Sequence, residues 1–391
     1  MMKKVLTLNP IAKEGLSLLP LDDYEIGTEI SSPEAILLRS FKMHDMKLPD
    51  SLLAVGRAGA GVNNIPVDKC QEKGIVVFNS PGANANAVKE LVIAGLLLAS
   101  RDVFQAMNYA QSIKGKGDEA PSLVEKNKSQ FAGCEIAGKT LGIIGLGKIG
   151  VMVANSALDL GMNVIGLDPF ISVEAAWGLS KEVKRADGIE SLLGQCDYLS
   201  LHTPLNDATR GMINEDKIKC MKKGIKILNF SRGGIVNNEA LIKAIEEGTV
   251  DRYVTDFPDD ELLGIAQVIA IPHLGASTGE AEVNCAIIVA NQVKDFLEKG
   301  NIKNSVNYPN AKLPISSDYR LAIMNKNVPN MVGQISSVLA DAKVNIVEML
   351  NKSKGDYAYN IIDIEKEIDE KTLKTITDIK GVIKARLIKI K

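Results

Sequence analysis

Three histidines, His44, His202 and His273, are all this chain offers as side chains that exchange a proton near neutral pH. His202 sits in Leu-His-Thr-Pro and His273 in Ile-Pro-His-Leu-Gly-Ala-Ser-Thr, each just after a short apolar run that reads as a strand. Arg232 follows a third run, in Asn-Phe-Ser-Arg-Gly-Gly, where the glycines free the backbone to present the guanidinium to a ligand. Its planar fork matches a carboxylate. Asp256 closes a fourth run, and Glu261 comes five residues later. Open α/β sheets bind ligands at the carboxyl ends of their strands. A histidine, an arginine and two acids at such ends, on one side of one sheet, read as a catalytic set.

A cofactor loop belongs to the same series. Gly145-Leu146-Gly147-Lys148-Ile149-Gly150 follows an apolar strand and opens a helix, and Asp168 ends the next strand, 18 residues beyond Gly150. The first glycine permits a tight turn, the second a close approach of the backbone to a pyrophosphate, the third close helix–strand packing. Helix N-terminal amides hold the phosphates, and the carboxylate receives the adenosine ribose. That charge repels a 2′-phosphate, and Pro169 and Phe170 follow it with no adjacent arginine, so NAD is favoured over NADP. His202, Thr203 and Pro204 end a neighbouring strand and are placed with the cofactor. No Cys pair or His cluster has metal-ligand spacing, and no metal is expected.

These residues need a frame, and the apolar runs supply it. Thr140–Ile144, Asn163–Leu167, Tyr198–Leu201, Ile225–Asn229, Tyr253–Thr255 and Val268–Ile271 read as strands, with helical patterns between most of them. Continuous apolar strands alternating with helices predict a parallel, doubly wound sheet. Val5–Leu8, Ala35–Leu38, Leu52–Val55 and Ile75–Phe78 predict a second α/β layer, and Asn84–Ser100 a buried helix. Residues 305–318 hold two prolines and little periodicity, which suits a linker. Beyond it the pattern is βαββαβ, a small ferredoxin-like domain. The fold class is therefore α/β, with two Rossmann-like domains and a ferredoxin-like third.

Composition narrows the partners. The 391 residues are 46% hydrophobic and carry 46 Lys+Arg against 48 Asp+Glu, a net charge of -2. No basic excess points to nucleic acid or an anionic membrane surface. The longest apolar stretch, Leu91–Ala99, is too short to span a bilayer, and the lysines near the start precede no long apolar core. Five dispersed cysteines suit a reducing compartment, so a cytoplasmic enzyme is expected.

The glycine loop, Gly-Arg-Ala-Gly-Ala-Gly-Val-Asn-Asn-Ile at 56–65, Ser-Arg-Gly-Gly at 231–234 and Pro-His-Leu-Gly-Ala-Ser-Thr at 272–278 together resemble the D-isomer-specific 2-hydroxyacid dehydrogenase family, over nearly all of residues 1–310. The resemblance implies a substrate-binding domain over 1–95 and 283–304, an NAD-binding domain over 96–282, and a homodimer or homotetramer. It implies oxidation of a phosphorylated 2-hydroxy acid, D-3-phosphoglycerate, at the head of serine synthesis. His273 would take the C2 hydroxyl proton, Glu261 would orient the imidazole, and Arg232 would hold the substrate carboxylate and polarise the C2 oxygen. Asp256 would bond the nicotinamide amide. Backbone at Lys148, Ile149, Phe230, Ser231, Leu274, Gly275 and Ala276 would line the cofactor. The family usually reads Asp-Val-Phe before its glutamate, whereas here Asp256-Phe257-Pro258-Asp259-Asp260-Glu261 leaves Glu261 or Asp260 as the partner of His273. Glu261 is preferred for its reach.

A phosphorylated substrate needs cations in the first domain. Arg57, beside Gly59, stands where the family's phosphoglycerate enzymes place a substrate arginine, and Arg39, Lys42 and nearby His44 follow another strand end. The family's Asp in Gly-Val-Asp-Asn is Asn63 here. Residues 319–391 resemble an ACT domain, with Asn327-Val328-Pro329-Asn330 and Val344-Asn345-Ile346 at its signature positions. The resemblance implies an L-serine effector held by Asn327 and Asn345, with Asn325 where relatives have a histidine. Other readings are a glyoxylate or hydroxypyruvate reductase, or a non-catalytic NAD or amino-acid sensor.

Overall fold

Strands buried on both faces should be short and almost wholly apolar, and the first sheet follows that rule at its centre. A computed structural model, which describes residues 2–390, pairs β1 (Lys3–Thr7), β2 (Tyr24–Gly27), β3 (Ala35–Leu38), β4 (Ala54–Arg57) and β5 (Val76–Asn79) in the order β2-β1-β3-β4-β5. All four pairings are parallel. β3, Ala-Ile-Leu-Leu, is buried at every position. β4 begins two residues later than its apolar run suggests, so that Arg57 is its last residue. The edge strand β2, Tyr-Glu-Ile-Gly, is half exposed and carries no continuous apolar signal.

The second sheet holds β6 (Thr140–Ile144), β7 (Asn163–Leu167), β8 (Lys184–Arg185), β9 (Tyr198–Leu201), β10 (Ile225–Asn229), β11 (Val250–Thr255) and β12 (Val268–Ala270). Their order, β12-β11-β10-β9-β6-β7-β8, is parallel throughout and doubly wound. The chain leaves β6 towards β7 and returns to β9 on its other side, so the topological switch lies between β6 and β9. The helix Ala85–Ser100 packs Val88, Val92, Leu96 and Ala99 into this sheet's core beside Leu141, Ile143 and Leu228. That burial moves the boundary from the expected 95–96 to Asn84/Ala85; the return crossing is Thr278/Gly279.

The first unit, Met1–Asn84 with Gly279–Lys391, also contains the C-terminal domain. Its strands β13 (Tyr319–Lys326), β14 (Ile346–Lys354), β15 (Tyr357–Ile364) and β16 (Val382–Lys389) form an antiparallel sheet in the order β14-β15-β13-β16, with helices Met331–Asp341 and Glu370–Thr377. This is the predicted βαββαβ order. Alternation divides the sheet: Leu321, Ile323, Ile362 and Ile364 meet the two helices. Ala322, Met324, Tyr359, Ile361 and Ile388 share one core with Phe78, Val293 and Phe296 of the first domain. Residues 305–318 are accordingly no free tether. Asn307 accepts from Val77 N–H at 2.9 Å and donates to the Ile75 carbonyl at 2.8 Å, and Tyr308 is 1% exposed. Among the described residues no helix is long and apolar enough to cross a membrane, and no cluster of His, Cys, Asp or Glu forms a metal site.

Candidate active site

The dinucleotide loop is built so that side chains are excluded from it. Gly145 has φ 95°, and a Cβ there would lie 2.6 Å from the His202 carbonyl oxygen. A Cβ on Gly150 would lie 2.0 Å from the Gly145 carbonyl oxygen, whereas one on Gly147 would meet nothing. Gly147 also caps the helix Lys148–Asp159 with no side-chain bond, leaving the amides of its first turn for an anion. Asp168, at the end of β7, accepts from Leu146 N–H and Phe170 N–H, both at 2.8 Å, so it clamps the loop and retains lone pairs for ribose hydroxyls. Beside the loop, Thr203 Oγ1 is buried with no hydrogen-bond partner. Pro204 is exposed. An open glycine cradle, a helix N-terminus, a carboxylate at the adjoining strand end and an unpartnered hydroxyl fit a dinucleotide.

Around β10 and β11 a hydrogen-bonded frame positions the candidate residues. Asn229, 1% exposed, donates to the Arg232 carbonyl at 2.9 Å and accepts from Ser231 N–H at 3.2 Å. Ser231 Oγ donates to the Leu201 carbonyl, tying this turn to β9, and Phe230 packs against Gly95 of the long helix. Arg232 is exposed, with Nη1 donating to the Ser231 carbonyl at 2.7 Å. Asp256 is 2% exposed and its Oδ1 has no hydrogen-bond partner. Burial pushes its carboxyl above the ordinary range, against the charges of His273 and Arg232 and the Gly275 N–H. A buried acceptor next to the cradle is what a nicotinamide amide would satisfy.

His273 is exposed and stacks on Phe257, ring centroids 4.4 Å apart. Glu261 accepts from Asn238 Nδ2 at 3.0 Å, and Asp259 from the same nitrogen at 2.6 Å. Among the described residues no hydrogen bond joins His273 to Glu261 or Asp260; the charge of His273 acts on the Asp256 carboxylate. Leu274 is exposed, Gly275 is buried, and Ala276 is partly exposed. His202 has a different character. It hydrogen-bonds Ser200 Oγ at 2.9 Å, and burial lowers its pKa to about 4, so it is neutral at pH 7.

In the first unit two strand ends are braced together. Asn9 Oδ1 accepts from the backbone N–H groups of Arg39, Ser40 and Phe41 at 3.0, 3.0 and 2.9 Å, while Asn64 Nδ2 donates to the Arg39 and Phe41 carbonyls. Arg57 Nε donates to the Arg39 carbonyl at 3.0 Å, and its Nη1 to the Gly61 carbonyl. Gly59 N–H donates to Ser80 Oγ at 2.8 Å. Arg39 pairs with Glu282 at 2.6 Å. Arg39 and Arg57 thus adjoin, and both act on Cys285, whose thiol burial raises in pKa. Lys42 is exposed, and His44 Nε2 donates to the Asn63 carbonyl at 3.0 Å.

Of the three effector candidates, Asn327 and Asn345 are exposed, the former donating to the Gly355 carbonyl at 3.1 Å. Asn325 is not a surface residue. It is 1% exposed, on the helix-facing side of β13, donating to the Lys326 carbonyl and accepting from Asn360 at 2.7 Å. Both of these bonds lie inside the domain.

Comparison with known proteins agrees with this geometry. Residues 93–275 match the family described as D-isomer specific 2-hydroxyacid dehydrogenase, NAD binding domain. The D-3-phosphoglycerate dehydrogenase of Escherichia coli is 32% identical over 385 residues, 94% of this chain and 90% of that protein. This chain belongs to the D-isomer-specific 2-hydroxyacid dehydrogenase family. The D-3-phosphoglycerate dehydrogenase of Methanocaldococcus jannaschii is 34% identical over 389 residues, 93% of this chain and 70% of that protein. A crystal structure of NAD+-bound 3-phosphoglycerate dehydrogenase from Entamoeba histolytica is 27% identical with a TM-score of 0.61, covering 78% of this chain and 99% of its own. The family member described here is thus an oxidoreductase with an NAD-binding domain, acting on a 2-hydroxy acid.

Proposed function

We propose that this dehydrogenase oxidises D-3-phosphoglycerate to 3-phosphohydroxypyruvate. The observation that carries the reading is the pair Arg39 and Arg57, braced at adjacent strand ends where a dianion can be held. The nicotinamide, when bound, supplies the hydride acceptor. Arg232 holds the substrate carboxylate and stabilises charge on the C2 oxygen, while His273 takes the hydroxyl proton and returns it in reduction. We assign Glu261 to orient and charge-balance the imidazole. Asp256, partly desolvated, offers its free oxygen to the nicotinamide amide.

NADH formation with D-3-phosphoglycerate, D-glycerate and D-lactate at equal concentration tests the substrate. The phosphorylated acid should lead by at least about a hundredfold in kcat/KM, since two charge-assisted contacts at about 1.5–3 kcal/mol each act only on it. Arg57→Gln should remove most of that lead through KM; an equal rate on D-glycerate overturns the assignment. The exposed Asn327 and Asn345 support an effector role for the C-terminal domain, L-serine being the ligand its resemblance implies. Adding L-serine over a concentration series should lower the initial rate, and a flat series with no thermal shift leaves the domain a structural role only.

A further inference from the structure

Side chains of a proton-transfer site need a fixed direction, and an exposed imidazole without a hydrogen bond has none of its own. In this molecule the ring of Phe257 packs against it. Phe257 lies against His273 with ring centroids 4.4 Å apart and planes at 47°, and the Arg232 guanidinium carbon lies 5.8 Å from the centre of the same ring. One aromatic ring therefore borders both groups that the dehydrogenase reading places on the substrate. We infer that Phe257 is a positioning residue for the reaction, setting the imidazole and the guanidinium relative to each other.

The ring is itself anchored to the frame that holds Arg232. Phe257 N–H donates to Thr255 Oγ1 at 3.0 Å, and Thr255 Oγ1 donates to the Asn229 carbonyl at 3.0 Å. Asn229 Nδ2 in turn holds the Arg232 carbonyl at 2.9 Å. Pro258 follows and restricts Phe257 to extended backbone. Gly233 leaves space for this: even a Cβ there would meet Phe257 only at 3.7 Å, an ordinary contact. A continuous path thus runs from Arg232 through Asn229, Thr255 and Phe257 to His273. The ring acts beside Glu261, which in this structure accepts from Asn238 at 3.0 Å.

The inference rests on the dehydrogenase reading of Arg232 and His273, and two readouts separate their fates. Kinetics of the full-length enzyme are measured on D-3-phosphoglycerate and, alongside, on D-glycerate and D-lactate. Phe257→Leu and Phe257→Met should lower kcat/KM about tenfold, through both KM and kcat; Phe257→Tyr should restore both. If either aliphatic variant keeps its thermal transition, a kcat/KM within twofold of the parent on the acid that the parent oxidises overturns the role. If the parent oxidises only an unphosphorylated acid and the aliphatic variants lose rate on it, the substrate assignment falls and the role of Phe257 stands.

Discussion

His273→Asn should lose on the order of 10³ in kcat for 2-hydroxy acid oxidation while binding NADH with unchanged affinity. The loss should be equal in kcat and kcat/KM, because the proton is taken only as the reaction proceeds. No other histidine is placed to compensate. His202 is half-buried, hydrogen-bonded to Ser200 and held neutral by desolvation with a pKa of about 4. His44 is in the first unit, on the Asn63 carbonyl. Asparagine keeps a polar planar group against Phe257 but cannot carry the proton. Steady-state kinetics with fluorescence titration of NADH make the comparison, and a loss below tenfold would remove His273 from the role of base.

The strand-end positions of the candidate site were legible because the physics that places residues at the sheet's edge also makes them visible. A parallel strand buried on both faces is a short apolar run, and the first polar residue after it stands at the sheet's carboxyl edge. Arg232, Asp256 and His273 were found that way. The asparagines that aim them were not. Asn9 reaches Arg39 across 30 positions, Asn229 acts through its own turn, and Asn238 captures acids 21 and 23 residues away. A single polar letter carries no sign of which backbone it will bond. The edge strands β2 and β8 were missed for the converse reason, since one side of each is free and their residues are accordingly polar. Helices Val103–Ser112 and Ala120–Asn127 bury no residue and so display little periodic signal. Residues 305–318 misled because buried polar groups that are fully hydrogen-bonded have the composition of a loop. Asn307, completing the bonds of β5, is the plainest case.

The same blindness hid Arg320, and its replacement should be the most destabilising single change in the C-terminal domain. Arg320 and Asp363 are both fully buried on neighbouring strands. All five guanidinium N–H groups are used: Nε and Nη2 on Asp363 at 2.6 and 2.9 Å, Nη1 on the Lys299 and Leu313 carbonyls, Nη2 again on the Pro314 carbonyl. Lys299 ends the helix Gly279–Lys299, whose last carbonyls also receive Arg386. The C-terminal domain therefore caps the helix Gly279–Lys299 of the first unit, satisfying acceptors that the helix cannot satisfy itself. Arg320→Met removes those donors and leaves Asp363 charged in the core, a loss of about 3–5 kcal/mol. For a unit of this size the unfolding transition should fall by roughly 6 °C or more. Arg320→Met combined with Asp363→Leu removes the stranded charge and should recover much of that loss. Acid supplies the independent check. Burial raises the Asp363 carboxyl, but hydrogen bonds from Arg320 and Ser316 outweigh it and hold the group below the ordinary range. A depressed carboxylate stabilises the fold above its unfolded pKa of about 3.9 and loses that contribution as pH falls through the lower folded value. The parent should therefore lose stability below about pH 4 more steeply than the double variant. Thermal melts across pH 3 to 7 measure this, and parallel curves for the two proteins would mean that the pair contributes nothing to acid stability.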